Sequence, residues 1–547
     1  MEKVIIYQVF TRLYGNRNTT RHKNGSICEN GCGKMNDFTP ATLKRLSGVG
    51  VTHIWYTGII RHATQTDYTA YGIPRNHPAI VKGKAGSPYA ITDYYDIDPD
   101  LAVEVANRME EFEQLVDRTH KAGLKVIIDF VPNHVARQYH SICCPAGVKD
   151  LGEGDNPLLG FSPQNNFYYC PGQRFTPYFD LYQGETEPYN EEPAKATGND
   201  CFHNAPGQND WYETVKLNYG VDYYAGGIGY FEPIPSTWQK MLDILLFWAS
   251  KGIDAFRCDM AEMVPAAFWA WATSHVKKQY KHIQFIGEVY NPAQYRNYIT
   301  SGFDFLYDKV GMYDTVRDII CHQRSTHDIT RAWQQTDDIR QHMLYFLENH
   351  DEQRIASQFF AADAVKAVPA LVTLALLQQN AFMLYAGQEY GECGMDSEGF
   401  SGNDGRTTIF DYWSVDTLVR AASRKLTSSE KRLKAIYDRV LTLAHERAVS
   451  DGVMFDLMYA NPHLQRQFAF LRKSGRELLL IVTNFEGHDV SADVIIPQHA
   501  FDFLKLRRHS SLKACDLMSG MDVTLSLQPD IPQILSIPAY SALVLKF

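Results

Sequence analysis

Short runs of apolar residues recur from the start of the chain to residue 387 and predict β-strands. They occupy residues 4–10, 51–58, 125–131, 253–259, 283–289, 302–308, 342–348 and 381–387. Few polar residues alternate with the apolar ones in these runs. That composition is typical of strands in a parallel sheet that is covered on both faces.

Segments with helical periodicity separate several of the predicted strands. They cover residues 104–122, 238–250, 261–280, 361–379 and 429–448. The first of them stops at an Ala-Gly pair directly before the strand at 125–131, and glycine commonly ends a helix in this way. Eight strands alternating with helices predict an α/β fold, a (β/α)8 TIM barrel.

Two segments interrupt this alternation. Residues 134–221 are rich in Gly, Pro, Asn and Tyr without helical periodicity, and they are far longer than an ordinary loop after a strand. From residue 452 onward, short β runs alternate with polar turns. We therefore predict a catalytic barrel from 1–133 and 222–451, an inserted loop-rich subdomain from 134–221, and a C-terminal antiparallel β-sandwich from 452–547.

Charge and length restrict the classes of partner. The 547 residues carry a formal net charge of −10, with 53 Lys and Arg against 63 Asp and Glu. The absence of a long basic run argues against nucleic acid or an anionic membrane surface as a partner. Aromatic residues make up 13% of the chain, and their flat rings suit the faces of sugars.

The sequence also predicts a location. The N-terminus shows no signal peptide pattern, and no run of about 18 apolar residues that could form a membrane span is present. Ten cysteines without a signal peptide indicate a reducing compartment, so we expect a cytoplasmic protein. Cys28 with Cys32, and Cys143 with Cys144, lack the second Cys/His pair that a zinc site needs.

Acidic residues stand where the predicted barrel strands end. Asp259, Glu288 and Asp351 follow three different strands. In a barrel of this class the active site lies at the carboxyl ends of the strands, so these acids should meet there. Arg257 lies two residues before Asp259, so both side chains should point to the same side of the strand. His134 follows the strand at 125–131, and His350 precedes Asp351 after the strand at 342–348.

The motifs at these strand ends resemble those of the α-amylase family, glycoside hydrolase family 13. DFVPNH at 129–134, DAFRCD at 254–259, GEV at 287–289 and ENHD at 348–351 are similar to its four conserved regions, in the family's order. The stretches 50–59, 87–99 and 381–391 are similar to accessory regions of the same family. The resemblance covers nearly the whole chain.

The resemblance implies a role for each of these residues. Asp259 matches the nucleophile, Glu288 the acid/base and Asp351 the carboxylate that stabilises the transition state. Tyr89, His134, Arg257 and His350 match residues that bind the sugar at the cleaved bond, and Asp129 matches a residue that supports Arg257.

The residue types fit this chemistry without the family name. A retaining glycosidase needs two carboxyl groups about 5–5.5 Å apart, one as the nucleophile and the other as a protonated acid. Arg257 favours the ionised form of Asp259. Glu288 follows the apolar residues Phe-Ile-Gly and has no cation next to it in the sequence, so we expect it to hold the proton more easily.

Some positions depart from the family pattern. Where many α-amylases have Lys-His after the nucleophile, this chain has Glu262 and Met263, which weakens the case for an ordinary endo-acting amylase. Ala90 replaces a residue that is usually polar. No cofactor is expected to be required, and calcium is a possible ligand because Asn133 matches a calcium-binding side chain; calcium takes about six to eight oxygen ligands.

The sequence predicts an enzyme that hydrolyses α-1,4-glucosidic bonds in starch fragments or maltodextrins through a glycosyl-aspartate. The insertion at 63–86 is expected to form one wall of its cleft. One alternative is a transglycosylase, or an enzyme that acts on trehalose or sucrose. Another is a non-catalytic carbohydrate-binding protein, which would be expected to have lost one of the three acids. The expected partner is an α-glucan, and the oligomeric state is left open.

Overall fold

Eight parallel strands close into a barrel in the computed structural model, which describes residues 3–400 and 402–547. In chain order they are β1 (Ile5–Phe10), β2 (His53–Thr57), β3 (Lys125–Phe130), β4 (Ala255–Cys258), β5 (Gln284–Gly287), β6 (Phe305–Tyr307), β7 (Met343–Phe346) and β8 (Ala381–Tyr385). Each overlaps one predicted run. Pairing of β1 with both β2 and β8 closes the barrel, and the predicted fold class is confirmed.

Helices surround the barrel. Ser428–Leu443 begins with a capping box between Thr427 and Glu430, and Pro40–Gly48 begins with Thr39, whose side chain accepts the N–H of Thr42. The others are Arg108–Lys121, Ser236–Ser250, Ala266–Gln279, Tyr295–Thr300, Asp314–Ile320, His327–Gln335, Val368–Leu376 and Asp416–Ala422. The sequence patterns did not predict the short helices at 40–48 and 295–335, because the apolar face of each spans only one to three turns.

The segment after β3 leaves the barrel and returns to it through one small sheet. His134–Ala136 pairs antiparallel with Thr214–Lys216, and Tyr169–Cys170 pairs with Ala194–Lys195. The remainder of residues 137–213, all of which the structure describes, is turns and irregular chain. A second excursion follows β2, where Ile60–His62 pairs with Ile91–Ile97.

The C-terminal region is antiparallel, as predicted. A six-stranded sheet contains Val453–Asp456, Gln467–Ser474, Glu477–Asn484, Ser541–Lys546, His509–Asp516 and Asp522–Leu527, in that spatial order. Val490–Val494 pairs with Gln533–Ile537 in a separate sheet, and Gln498–Leu504 is helical. The domain boundaries drawn from the sequence stay a prediction. Among residues 3–400 and 402–547, no helix has the length and apolarity to span a membrane.

The interior of the barrel holds a small apolar core beneath the strand ends. Its members come from the inward faces of the strands and include Trp55, Ile127, Ala255, Ile286 and Tyr307. Because strand side chains alternate, Arg257 continues the inward row above Ala255, while Cys258 packs outward against the helices. The barrel core therefore forms the base on which the polar strand ends rest.

Candidate active site

A cavity of about 220 Å³ opens at the carboxyl ends of the barrel strands. Asp259, Glu288 and Asp351, which the sequence placed at three separate strand ends, all line it. The remaining lining residues come from the inserted segments and the loops after β2, β4, β5 and β8: Lys82, Ser87, Tyr89, His134, Trp211, Glu213, Thr214, Met260, Tyr290, Ile409 and Phe410. The predicted convergence of the three acids is thus what the structure shows.

Arg257 is fully buried at the base of this cavity. Its Nη1 donates to Oδ1 of Asp259 at 2.6 Å, and its Nη2 lies 2.8 Å from Oε2 of Glu288. Asp129, directly opposite Arg257 in the pairing of β3 with β4, is farther away, with Oδ1 at 3.8 Å from Nη1. Aromatic rings enclose the guanidinium; Trp55, Tyr89 and Tyr307 have ring centroids 5.2, 5.5 and 5.7 Å from its Cζ.

The expectation that Glu288 has no adjacent cation is wrong. Its local sequence is apolar, but β5 lies beside β4 in the barrel, and this pairing brings Glu288 to the second nitrogen of Arg257. Glycine at position 287 lets β5 pack closely against its surroundings, because a Cβ there would stand 2.8 Å from side-chain atoms of Phe303 and Leu306. The guanidinium is thus shared by the two carboxylates that the resemblance names as nucleophile and acid/base.

Met260 contributes a backbone donor to the same carboxylate. Its N–H donates to Oε2 of Glu288 at 2.8 Å. The residue has φ +43° and ψ +43°, in the left-handed region that side chains other than glycine seldom adopt. Such a conformation costs about 1–3 kcal/mol and is typically found at functional sites.

Asp351 is the most accessible of the three acids, with 39% of its side chain exposed. Nε2 of His350 lies 3.1 Å from Asp351 Oδ2 and also contacts the hydroxyl of Tyr89, while Gln8 contacts Nδ1 of the same ring at 2.8 Å. Burial, followed by the charge of Arg257, lowers the pKa of His350 well below its ordinary value. The imidazole is therefore neutral and keeps one N–H available for donation.

Four carboxyl groups interact with the single cation Arg257; they belong to Asp129, Asp259, Glu288 and Asp351. Burial raises the pKa of Asp259 above its ordinary range, and Arg257 acts in the opposite direction. Burial also raises the pKa of Asp129 to about 6, and burial together with the charge of Glu288 raises that of Asp351 to about 7. The cluster therefore retains protons close to neutral pH, as a site that needs both an acid and an anion requires.

His134 lines the same cavity and lies at the start of the inserted segment. Its ring centroid is 5.2 Å from that of Trp211. Burial, with smaller contributions from Lys216 and Lys82, lowers the pKa of His134 to about 3, so this imidazole is neutral as well. Trp211 belongs to no motif in the sequence; its only signal was that it is a tryptophan in an otherwise irregular segment.

Asn133 does not present a free oxygen to a metal ion. The ammonium group of Lys216 donates to Asn133 Oδ1 and lies 2.6 Å from Asp200 Oδ1, while Asn133 Nδ2 donates to the carbonyl of Gly198 at 2.8 Å. A calcium ion at this oxygen would stand beside a buried positive charge, which opposes binding. The residues around Asn133 therefore do not fit the calcium site that the resemblance implies.

The positions that depart from the family pattern do not line the cavity, and Ala90 is fully buried in a small apolar cluster. Glu262 accepts the N–H groups of Tyr290 and Asn291, each at 3.0 Å, so its charge fixes the backbone after β5. From the insertion at 63–86, Lys82 reaches the cavity and pairs with Glu213 at 2.9 Å. From this insertion Lys82 lines the cavity, so the insertion contributes one side chain to it, and a wall formed by the whole insertion stays a prediction.

The barrel with its acids, arginine, imidazoles and aromatic rings at the strand ends defines an enzyme that acts on glycosides. The family model described as "Alpha amylase, catalytic domain" matches residues 8–447, and the chain belongs to the α-amylase family of glycoside hydrolases.

Curated relatives and solved structures agree with this assignment. The chain is 24% identical to "Alpha-amylase 3" of Dictyoglomus thermophilum over 390 residues, 66% of this chain and 68% of that protein. It is 25% identical over 205 residues, 38% of this chain, to an "Alpha-1,4-glucan:maltose-1-phosphate maltosyltransferase" of Cereibacter sphaeroides, and spans 25% of that protein. The maltogenic α-amylase AmyB of Thermotoga neapolitana has the same fold, with a TM-score of 0.65 at 20% identity, covering 100% of this chain and 99% of that one.

Proposed function

We propose that the protein is a retaining glycoside hydrolase that cleaves α-1,4-glucosidic bonds in starch fragments or maltodextrins. Asp259 is the nucleophile, Glu288 the acid/base and Asp351 the stabilising carboxylate. The observation that carries the proposal is the shared guanidinium of Arg257, which contacts Asp259 through Nη1 and Glu288 through Nη2.

The sharing of Arg257 bears on the stereochemistry. Oxygens that contact two nitrogens of one guanidinium are close neighbours. This arrangement suits the spacing of about 5–5.5 Å in retaining enzymes, whereas inverting enzymes need about 6.5–9.5 Å to admit a water molecule. Asp259 attacks the anomeric carbon and forms a glycosyl ester, while Glu288 gives its proton to the departing oxygen. Glu288 then takes a proton from water, the water oxygen bonds to the anomeric carbon, and the ester bond to Asp259 breaks, which restores both carboxyl groups and releases the sugar.

The remaining contacts suit a sugar ring. The neutral imidazole of His134 can donate to a hydroxyl group, and Tyr89 and Trp211 offer ring faces for stacking. His350 does not line the cavity; its fully buried ring contacts Tyr89 and Asp351 and so positions these two side chains. The α-glucan substrate is chosen because the relatives described above are named for amylase and glucan-transfer activities.

The test compares release of reducing sugar from maltoheptaose by the wild type, Glu288→Gln and Glu392→Gln. Loss of a general acid should lower turnover by about 10²–10⁴-fold. Glu392 is a buried carboxyl after β8 that does not line the cavity, and it accepts from Thr417 at 2.6 Å. Glu392→Gln should therefore retain activity. Full activity of a folded Glu288→Gln would refute the assignment.

A second candidate is transfer of the glucosyl unit to another sugar instead of water. The similarity to the maltosyltransferase over 205 residues favours it. Product analysis with and without an excess of acceptor sugar separates the two reactions. If transfer products dominate at low acceptor concentration, the protein is a transglycosylase.

A further inference from the structure

The two oxygens of Glu288 have different surroundings. Oε2 accepts the N–H of Met260 at 2.8 Å and lies 2.8 Å from Nη2 of Arg257. Oε1 accepts a hydrogen bond of 2.6 Å from the hydroxyl of Tyr290, two residues farther along the chain. Tyr290 lines the same cavity as the three acids.

This asymmetry selects the oxygen that carries the catalytic proton. A proton on Oε2 would meet the hydrogens of a guanidinium and of a backbone amide, which is unfavourable. Oε1 meets a hydroxyl group, which can donate to a carboxylate and can also accept from a carboxylic acid. The contact between Tyr290 and Glu288 can therefore persist in both protonation states.

The hydroxyl of Tyr290 keeps its own proton throughout. Burial, followed by the charges of Glu288 and Asp351, raises its pKa well above the ordinary value. The groups that face Glu288 from the surrounding elements are Asp129, Arg257, Asp259, Tyr290, Tyr307 and Asp351. Among these groups, Tyr290 is the uncharged one whose hydroxyl donates a hydrogen bond to Oε1 of Glu288.

We propose that Tyr290 is a positioning residue for proton transfer by Glu288. Its hydroxyl holds Oε1 toward the cavity and stabilises the carboxylate that remains when the proton has left. This inference rests on the proposed function, because it takes Glu288 as the acid/base. It adds a specific residue of this chain to that function.

The experiment measures kcat/KM against pH for the wild type, Tyr290→Phe and Tyr298→Phe. Two substrates are used: a maltooligosaccharide, and a nitrophenyl α-maltoside whose leaving group needs little protonation. Tyr298 is the matched control, since its buried hydroxyl hydrogen-bonds to the carbonyl oxygens of Glu262 and Val264 and does not line the cavity.

Three results are expected for Tyr290→Phe. The basic limb of its kcat/KM profile moves to higher pH, because removal of a hydrogen-bond donor favours the protonated form of Glu288. Its kcat/KM on the maltooligosaccharide near neutral pH falls by about 10- to 100-fold, the range for a hydrogen bond to a charged group. Its kcat/KM on the nitrophenyl substrate falls by a smaller factor. Tyr298→Phe should leave the basic limb and the ratio between the two substrates unchanged.

Other outcomes distinguish failure of the inference about Tyr290 from failure of the proposed function. If Tyr290→Phe keeps the wild-type basic limb, or slows both substrates equally, Tyr290 has a structural role only and the inference is overturned. Tyr290→Gln, which retains an N–H donor, guards against a folding defect in the first variant: a basic limb close to that of the wild type supports the inference, and a shifted one contradicts it. If the wild type itself neither hydrolyses nor transfers α-glucans, the proposed function fails first.

Discussion

Arg257 contacts both the proposed nucleophile and the proposed acid/base, so its replacement gives a quantitative test of these roles. In Arg257→Gln, Asp259 loses a contact of 2.6 Å and Glu288 one of 2.8 Å, both inside the barrel end. The side chain that replaces arginine is neutral and shorter. The anion of Asp259 then remains buried without its cation.

The size of the effect follows from Coulomb's law. At a charge separation of about 4 Å and an effective dielectric constant of about 20, the attraction is about 4 kcal/mol. Loss of this attraction raises the pKa of Asp259 further, because Arg257 is the group that opposes the effect of burial. Because the proposed nucleophile must be an anion to attack, the acidic limb of the kcat/KM profile should move to higher pH, and activity near pH 7 should fall steeply.

The assay is the pH profile of kcat/KM on a nitrophenyl α-maltoside, which needs little help from the general acid. Arg354→Gln is the control, because Arg354 is equally buried and pairs with Glu348 at 2.8 Å outside the cavity. Both variants should be destabilised, since breaking a buried ion pair costs about 3–5 kcal/mol. An acidic limb that moves in neither variant, or equally in both, would refute the electrostatic role of Arg257.

Two further predictions concern the inserted segment. Lys216→Met should lower the free energy of unfolding by about 1–3 kcal/mol, because Asn133 and Asp200 lose a charged donor; thermal melts with and without EDTA check this. EDTA should leave the wild-type melting curve and activity unchanged, and a large loss on chelation would contradict the role given to the ammonium group. Trp211→Ala should raise KM for maltoheptaose about fivefold through lost stacking, with kcat less affected. An unchanged KM would place the sugar elsewhere in the cavity.

The sequence was sufficient for the barrel and for the acids, and physical reasons explain why. Strands buried on both faces leave continuous apolar runs, and the carboxyl ends of parallel strands lie at one rim. From these two facts the sequence alone predicts that Asp259, Glu288 and Asp351 lie close together. Alternation along a strand likewise places Arg257 on the side of Asp259.

Contacts between elements could not be predicted in the same way. Arg257 reaches Glu288 because β4 and β5 are neighbours in the barrel. The residues next to Glu288 in the sequence include no cation, so the sequence alone did not indicate this contact. Trp211 and Lys216 lie in a segment of irregular chain, where no periodicity indicates which side chains turn inward. The calcium site expected at Asn133 does not fit the structure for the same reason: Lys216, from the far end of the insertion, donates to Asn133 Oδ1.

The small sheet at the base of the inserted segment has a consequence for protein engineering. Because His134–Ala136 and Thr214–Lys216 are hydrogen-bonded neighbours, the insertion leaves and rejoins the barrel at almost one point, like the two sides of a hairpin. Residues between them can change in length without altering the distance that the barrel ends must span. Changes within 137–213 can therefore reshape one side of the cavity while the acids at the strand ends stay where the barrel holds them, provided that the contacts of Asp93 and Lys240 with this segment are kept.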